Sequence, residues 1–286
     1  SLRLEVAIKR GGRRYEIAFE GGEKCGELAD VGAVGQRNTG TSLRFWPDPA
    51  YFEVPRFSVR RLKHILRAKA VLCPGLTVCF NNALSGESDT WCYADGLKDY
   101  LDDSLCNYEL LPEAPLVGEF TGSAEAVSWA VVWLPEGGEL VTESYVNLIP
   151  TSQGGTHVNG FRSGLLASIR EFCDFRRLAP RGVKLAPDDI WERCCYVLSV
   201  KMQNPQFSGQ TKERLSSREC AAFVSNIVRD AFALWLNLNT DAGLRLAEMA
   251  IESARRRLKA AAKVARRKAG AGPTLPGKLA DCISQD

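Results

Sequence analysis

Apolar and polar residues alternate strictly at the start of the chain. Leu4, Val6 and Ile8 hold every second position, and the alternation resumes after the Gly-Gly pair at 11–12. Two period-two runs joined by a short turn predict a β-hairpin, because successive side chains of a strand point to opposite faces. A further strand is predicted at 42–46, so the chain is expected to open with a small antiparallel sheet.

The period then changes to that of a helix. Leu62, Ile65 and Leu66 fall on one face of the segment 58–70, and a Cys-Pro-Gly sequence ends the pattern. Three shorter elements are predicted after it: strands at 76–80 and 90–93 and a helix at 96–101. The next stretch is polar and contains two prolines, which predicts a domain boundary near residue 108.

The second half of the chain contains longer apolar runs. Predicted strands cover 116–120, 126–134, 140–148 and 195–202, and predicted helical segments cover 161–175, 188–193, 217–238 and 240–268. Strands followed by helices in both halves predict the α+β fold class. The expected division is a first domain at 1–108, a second domain at 109–269, and a Gly/Pro-rich linker at 270–286.

Composition indicates a soluble globular protein. Of the 286 residues, 45% are hydrophobic and 25% are charged, which allows a substantial core. No apolar run approaches the roughly 20 residues of a membrane span, and the first residues have the pattern of a strand rather than of a signal peptide. The chain begins at Ser1, and we expect it to be a piece of a longer protein.

The cysteines do not indicate a metal site. Ten are present without a CxxC pair, and only two histidines could assist them, so zinc is not expected. Cys79, Cys173 and Cys195 lie within apolar patterns and are expected to be buried. This usage favours a reducing cytoplasm without disulfides.

Basic residues are concentrated near the C-terminal end, although the formal net charge is only +3. Eight of them, with no acidic residue between, are Arg255, Arg256, Arg257, Lys259, Lys263, Arg266, Arg267 and Lys268. Such a cluster could neutralise the phosphates of double-stranded DNA. It could equally be a solvated helix end that complements the helix dipole. No aromatic residue is interleaved, so stacking on single strands is not expected.

The segment 198–219, LSVKMQNPQFSGQTKERLSSRE, carries the clearest candidate chemistry. An apolar strand ends at Met202, a loop with Pro and Gly follows, and Ser216 and Glu219 have capping-box spacing at a helix start. Lys212 is therefore expected on a loop between a strand and a helix, where a flexible ammonium can reach a phosphate. The alternative is a solvated loop lysine, which is the commoner situation.

Four motifs follow one another in the second half of the chain. They are Gly154-Gly155-Thr156-His157, Gly160-Phe161-Arg162, Gln210-Thr211-Lys212 and the segment 275–282. In this order they resemble the transducer domain of type IIA DNA topoisomerase ATPase subunits, the gyrase B family. The first half, through the segments 38–41 and 43–48, resembles the C-terminal part of a GHKL-type ATPase domain. The sequence flanking the motifs resembles the topoisomerase IV branch of the family more closely than the gyrase branch.

The resemblance implies a fold and a set of site residues. The expected fold is the C-terminal part of a GHKL ATPase sandwich followed by a transducer domain of the ribosomal protein S5 domain 2-like type. Lys212 and Gln210 match the family's switch loop and are implied to contact the γ-phosphate of ATP as catalytic residues. Thr41 matches a threonine on the adenine side of the ATP site. Thr211 is expected to serve only the geometry of the loop.

The resemblance also implies cofactors and partners. The intact protein would use ATP and Mg²⁺, with the magnesium ligands and the general base expected upstream of residue 1, so no metal ligand is expected in this chain. The implied partners are double-stranded DNA, the tyrosine-bearing cleavage subunit of topoisomerase IV, and a second copy bound through the ATPase domain, which gives a heterotetramer without membrane contact. The implied activity is ATP-coupled strand passage, decatenation and relaxation during chromosome segregation in the bacterial cytoplasm, at the nucleoid. The isolated chain is expected to be inactive.

Three alternatives remain open at this point. The chain could come from the gyrase branch, or it could be a non-catalytic dimerisation and DNA-gate module. It could also be a small-molecule phosphotransferase, since some kinases share the transducer fold. Apart from Gly154-Gly155, however, no Gly-rich phosphate loop precedes a helix, which disfavours the third possibility.

Overall fold

The computed structural model describes residues 1–52, 54 and 56–270, with side chains described as far as residue 262. The described residues form two compact units, which are divided between Leu66 and Arg67. The predicted motif at 275–282 and nearly all of the predicted linker lie outside the described residues. Within the described part of the chain, no helix combines the length and apolar character needed to cross a membrane.

The first unit is built around a five-stranded antiparallel sheet. Its strands are β1 (Arg3–Arg10), β2 (Arg13–Glu20), β3 (Glu23–Lys24), β4 (Ala29–Ala33) and β5 (Gly40–Trp46). β1 lies between β2 and β5, and both β3 and β4 pair with β2. Gly11 and Gly12 both have positive φ, as a two-residue hairpin turn requires, so the predicted hairpin is confirmed.

The pairing register gives this sheet one apolar face and one charged face. Leu4 pairs with Phe19 on β2 and with Phe45 on β5, and Val6 continues the same face two residues further. The opposite face carries charged residues such as Glu5. No described residue of this unit is fully buried, and Phe45 is 44% exposed. In the described part of the unit, the apolar face of the sheet is therefore only partly covered, with Phe57 packed edge-on against Phe45 at 5.6 Å between ring centroids.

One helix spans the division between the two units. It is α1 (Val59–Leu72), and it is followed by β6 (Val78–Asn82), β7 (Glu87–Trp91) and α2 (Leu97–Ser104). The strands β6 and β7 form an antiparallel hairpin, closed by the N–H of Gly86 donating to the carbonyl of Asn82. Both strands lie nearer the turn than predicted, because the asparagine-rich segment pairs as far as Asn82 before the chain reverses.

The second unit contains a mixed five-stranded sheet. Its strands are β8 (Leu111–Thr121), β9 (Glu125–Trp133), β10 (Thr142–Val146), β11 (Ile149–Pro150) and β12 (Cys194–Met202). The order is β11-β10-β12-β9-β8, with β10 and β12 parallel and all other pairs antiparallel. β12 is central, so the loop that follows it leaves from the middle of the sheet.

Helices cover both faces of this sheet. They include α3 (Thr156–Phe175), α4 (Pro187–Trp191), α5 (Arg218–Leu238) and α6 (Thr240–Gly270). On one face Trp129, Val131 and Trp133 pack with residues of α3, α5 and α6. On the other face Ala130 and Val132 pack with residues of α1 and α2. Strands buried on both sides carry apolar residues on both faces, which explains the apolar runs at 129–133 of β9 and 194–198 of β12.

Two glycines bring α3 and α5 into backbone contact. A Cβ on Gly160 would lie 2.4 Å from the carbonyl oxygen of Ala221, and a Cβ on Gly164 would lie 2.7 Å from that of Ser225. The two glycines are four residues apart and face the same side of α3. The helices therefore pack closely enough that neither glycine tolerates a side chain without displacement of the partner.

The α+β class predicted from the element order is confirmed, whereas two local predictions are wrong. The predicted capping box at Ser216 is absent: α5 begins at Arg218 with Ser217 at its N-cap, and the Ser217 hydroxyl accepts the N–H of Gln206. Cys79 is exposed, because the β6–β7 hairpin leaves that face open, while Cys173 and Cys195 are buried as predicted.

Candidate functional site

The segment 206–216, here named the tip loop, connects β12 to α5 as a closed hairpin. Ser216 donates its N–H to the carbonyl of Gln206 at 2.8 Å, and Ser208 donates its N–H to the carbonyl of Arg214 at 2.9 Å. These backbone hydrogen bonds satisfy both arms of the loop and fix the distance between them. The loop therefore has a defined stem and a short free tip.

The stem is anchored in the hydrophobic core. Leu215 is 1% exposed and belongs to the cluster between the sheet and α3, α5 and α6. Phe207 forms a bridge with Leu215 and packs against the same cluster. Ser217, at the start of α5, holds the N–H of Gln206 at 2.9 Å. The base of the loop thus moves only if core side chains or the first turn of α5 move with it.

Gln210, Thr211 and Lys212 are exposed at the tip. Lys212 has φ 57°, a left-handed conformation that is uncommon for a residue with a Cβ, and its N–H lies 3.3 Å from the carbonyl of Gly209. The Lys212 Nζ atom lies 5.9 Å from the centroid of the Phe207 ring, near the limit of a cation–π contact. The structure therefore brings the two predicted phosphate-contacting residues, Gln210 and Lys212, together on one exposed turn.

A second backbone segment runs along the C-terminal arm of the tip loop. Gln153 donates its N–H to the carbonyl of Glu213 (2.9 Å), Leu215 donates to Gly154 (3.0 Å), and Thr156 donates to Leu215 (3.2 Å). The side chains join as well, since the Gln153 Nε2 atom donates to the Glu213 Oε2 atom at 2.9 Å. These contacts connect two of the sequence motifs, the Gly-Gly-Thr-His segment and the tip loop.

Sequence reasoning missed Gln153 and Glu213. The two residues are 60 positions apart, and a hydrogen bond between loops at that separation has no periodic signal. The available signal was position: Gln153 directly precedes the Gly-Gly-Thr-His motif, and Glu213 directly follows Lys212.

His157, at the start of α3, is a buried structural residue. It is 0% exposed, and its Nε2 atom lies 3.0 Å from the Thr151 hydroxyl, which in turn lies 2.7 Å from the Ser144 hydroxyl. Burial lowers the pKa of His157 to about 4, so the ring is neutral at pH 7. A neutral imidazole enclosed in this way supports the Gly-rich segment rather than acting on a ligand.

Thr41 lies in the first unit, on the edge strand β5. It pairs with Ile8 of β1, directly after Gly40, and it is exposed. The turn before it is held by Asn38, whose side-chain oxygen accepts a hydrogen bond from Lys9 at 3.3 Å. Thr41 is therefore exposed to solvent, and its position is fixed by the pairing of β5 with β1.

The basic residues of α6 do not all face solvent in the same way. Arg255, Arg256 and Lys259 are exposed, although Arg256 approaches Glu192 at 3.7 Å. The side chains of Lys263, Arg266, Arg267 and Lys268 lie outside the described residues.

Arg257 is partly exposed, but its guanidinium binds a buried carboxylate. Its guanidinium donates to both carboxylate oxygens of Asp189, at 2.9 and 2.8 Å, and to the carbonyl of Lys184 at 3.0 Å. The Asp189 side chain is only 1% exposed and also accepts the N–H of Ala186 at 2.6 Å. Arg257 therefore ties α6 to α4, and the buried carboxylate raises its pKa.

No group of three or more His, Cys, Asp or Glu residues is placed to hold a metal ion among the described residues.

The model of the DNA gyrase B family matches residues 96–266, more than half of the chain. The chain belongs to this family. The matched region includes the second sheet, the tip loop and most of α6. The family predicted from the four motifs is therefore confirmed.

Similar proteins give the same result over a longer region. The chain is 63% identical over 286 residues to the B subunit of DNA topoisomerase 4 from Salmonella typhimurium strain LT2, covering 100% of this chain and 45% of that protein. The chain thus spans less than half the length of this curated relative.

Two solved structures share the fold. The topoisomerase IV ATP-binding domain of Francisella tularensis, in complex with a small-molecule inhibitor, matches with a TM-score of 0.77 and 39% identity, covering 90% of this chain and 70% of that one. The 43K ATPase domain of Thermus thermophilus gyrase B, in complex with an aminocoumarin, matches with a TM-score of 0.72 and 29% identity, covering 93% and 72%. These matches confirm the fold expected from the GHKL and transducer resemblance.

Proposed function

We propose that this chain is part of the ATP-hydrolysing subunit of a bacterial type II DNA topoisomerase, topoisomerase IV, and couples ATP hydrolysis to the passage of DNA. The observation that carries the proposal is the tip loop, which presents Gln210 and Lys212 on a stem anchored in the core. The curated relative that is 63% identical is named as the B subunit of this enzyme, and two solved neighbours are ATP-binding or ATPase domains.

Lys212 acts on the terminal phosphate in this proposal. Its ammonium stabilises the negative charge that develops as the γ-phosphoryl group leaves, and Gln210 contacts or orients the same group. When hydrolysis removes the phosphate, the contact is lost and the loop is released. A residue of this kind is both catalytic and mechanical, as in other nucleotide-dependent switches.

The remaining parts of the proposal lie mostly outside the described residues. Thr41 binds the adenine side of ATP, and Mg²⁺ is held by ligands upstream of residue 1. The cleavage subunit supplies the tyrosine that attacks DNA, and a second copy of the present protein pairs through the ATPase domain. The functional boundary between the ATPase part and the transducer, near residue 108, stays a prediction, since the compact units are divided by packing.

The decisive experiment compares Lys212→Ala with the parent in the full-length protein. We expect the ATP turnover number to fall about ten- to a thousandfold, equal to about 1.4 to 4 kcal/mol of transition-state stabilisation, with nucleotide still bound. Thr211→Ala is the matched control, because Thr211 is exposed on the same turn and is assigned no phosphate contact. Its turnover should match that of the parent.

Unchanged turnover in Lys212→Ala would overturn the phosphate contact and leave the chain as a non-catalytic module. Equal losses in Lys212→Ala and Thr211→Ala would show that the turn matters only through its shape.

A second function, DNA contact, is supported by the exposed basic residues of α6. Arg255, Arg256 and Lys259 present positive charge to solvent, which suits non-specific contact with phosphates. We expect Arg255→Ala with Lys259→Ala to weaken duplex binding by the full-length protein and to lower the slope of log K against log salt by about two. An unchanged slope would leave these residues as a solvated helix surface.

A further inference from the structure

We infer that Gln153 and Gly155 are positioning residues for the ATP-contacting turn, acting through a clasp formed by residues 153–156 and 213–215. The inference rests on the proposed function, in which Lys212 contacts the γ-phosphate. The clasp lies immediately after that turn and grips only the C-terminal arm of the tip loop. It therefore fixes the backbone direction of the tip loop at Lys212.

The clasp is formed mainly by backbone hydrogen bonds. Three N–H···O bonds join the two segments: Gln153 to Glu213, Leu215 to Gly154, and Thr156 to Leu215. Glu213 is also held by the Nε2 atom of Gln153 at 2.9 Å. Because Glu213 is the next residue after Lys212, a shift of its backbone changes the position of the Lys212 Cα directly.

Gly155 makes the close approach possible. A Cβ at this position would lie 2.3 Å from the carbonyl oxygen and 2.6 Å from the nitrogen of Leu215. Gly155 also has φ 135°, where residues with side chains are rarely found. Glycine at position 155 is therefore explained by contact with the tip loop, whereas a phosphate-binding role at this helix start would leave the contact with Leu215 unexplained.

The clasp also caps α3. The carbonyl of Leu215 accepts the N–H of Thr156, the first residue of the helix. The first N–H groups of a helix have no partner within it, so this carbonyl satisfies one of them. The tip loop is thus hydrogen-bonded to the start of α3 and is continuous with the start of α5, and those two helices pack through Gly160 and Gly164.

A double-mutant cycle in the full-length protein tests the clasp. Gln153→Ala and Glu213→Ala should each lower the turnover number for ATP about three- to tenfold with little change in KM, because the lysine is misplaced for the transition state. The double variant should be no slower than the slower single variant. Gln153→Lys keeps a donor to Glu213 and should restore most of the activity.

Two controls separate positioning from general damage. Gln203→Ala removes an exposed glutamine on the approach to the same loop and should leave turnover unchanged. Gly155→Ala should lower turnover more than Gly182→Ala, because Gly182 also has a positive φ, 80°, but has no atom within 4 Å of a Cβ. If Gly155→Ala does not fold, the Gln153 and Glu213 cycle still decides the matter.

Hydrogen exchange gives a readout independent of nucleotide. In Gln153→Ala the amides of 208–216 should exchange several-fold faster than in the parent, and those of α6 should not change. Additive losses in the cycle, or unchanged exchange, overturn the clasp.

The two proposals fail in different ways. If Lys212→Ala lowers turnover while the cycle is additive, only the clasp is wrong. If Lys212→Ala leaves turnover unchanged, the nucleotide contact and the positioning role are both wrong, whatever the exchange rates show.

Discussion

The two large sheets of this protein differ in how far their faces are buried. The sheet of the first unit has one apolar and one charged face, and none of its described residues is fully buried. The sheet of the second unit is covered on both faces, and β9 and β12 are buried along most of their length. Cross-strand pairs contribute only about 0.2–1 kcal/mol each, so the first sheet gains less stability than the second, which also buries its side chains. The second sheet is the more suitable foundation for a loop that must hold a fixed geometry.

Replacing one tryptophan in each sheet with alanine should give the largest difference in stability between the two sheets. Trp133 is 0% exposed, stacks on Phe232 at 5.8 Å, and donates its Nε1–H to the carbonyl of Ile190 at 2.8 Å. Trp133→Ala should lower the free energy of unfolding by about 3–5 kcal/mol, whereas Trp46→Ala, at a residue 36% exposed, should cost less than about 1 kcal/mol. Urea unfolding followed by circular dichroism measures both. Similar losses would mean that the first sheet has a core of its own.

Acid should affect the second unit through His157. Its folded pKa is about 4, against 6.5 for the free side chain, so between these values only the unfolded chain gains the proton. The contribution of His157 to stability is therefore complete above pH 6.5 and falls as the pH drops toward 4, by about 3 kcal/mol in all. Thermal unfolding from pH 7 to pH 4.5 should show this decline, and His157→Gln should flatten it. A parallel decline in both proteins would assign the effect to other groups.

Two arginines of α6 lie in different environments and should contribute differently to stability. Arg257→Met leaves the buried Asp189 carboxylate without its bidentate partner and should cost about 2 kcal/mol, allowing for the partial exposure of the guanidinium. Arg255→Met changes an exposed residue and should cost less than about 0.5 kcal/mol. Chemical denaturation of the two variants tests the difference. If the two variants are equally stable, the Asp189 carboxylate is hydrated or protonated in Arg257→Met.

The smallest effect is expected at the charged face of the first sheet. Arg3 pairs with Glu5 at 2.8 Å and with Glu20 at 2.6 Å, and all three side chains are partly exposed to solvent. Exposed pairs of this kind contribute little, because water competes with them and salt screens them. The unfolding midpoint of Arg3→Ala should match that of the parent at both low and high salt. A clear, salt-sensitive loss would show that this face contributes to the stability of the layer.

The sequence predicted those features that depend on local periodicity. Alternation at Leu4, Val6 and Ile8 located the first hairpin, and the helical spacing after residue 217 located α5 within one residue. The family resemblance then supplied the roles expected for Gln210 and Lys212, which no spacing rule contains.

Other features depend on tertiary contact and were missed for that reason. Ser216 had the right spacing for a cap, but the chain uses the Ser217 hydroxyl to bind Gln206 in the stem of the loop. Arg257 is indistinguishable from its basic neighbours in the sequence, and only the buried carboxylate of Asp189 sets it apart. The contact between Gln153 and Glu213 likewise exists only once two distant loops meet.

The glycine contacts between α3 and α5 have a mechanical consequence. At about 1.5 Å per residue, these helices of 20 and 21 residues are each roughly 30 Å long. For two helices that rotate together as one rigid body, the displacement grows with the distance from the pivot. A tilt of about 5° at the loop end would carry the far end through roughly 2–3 Å. After a single intervening residue α6 begins there, so a tilt of this size at the loop end would displace the start of α6, about 30 Å away.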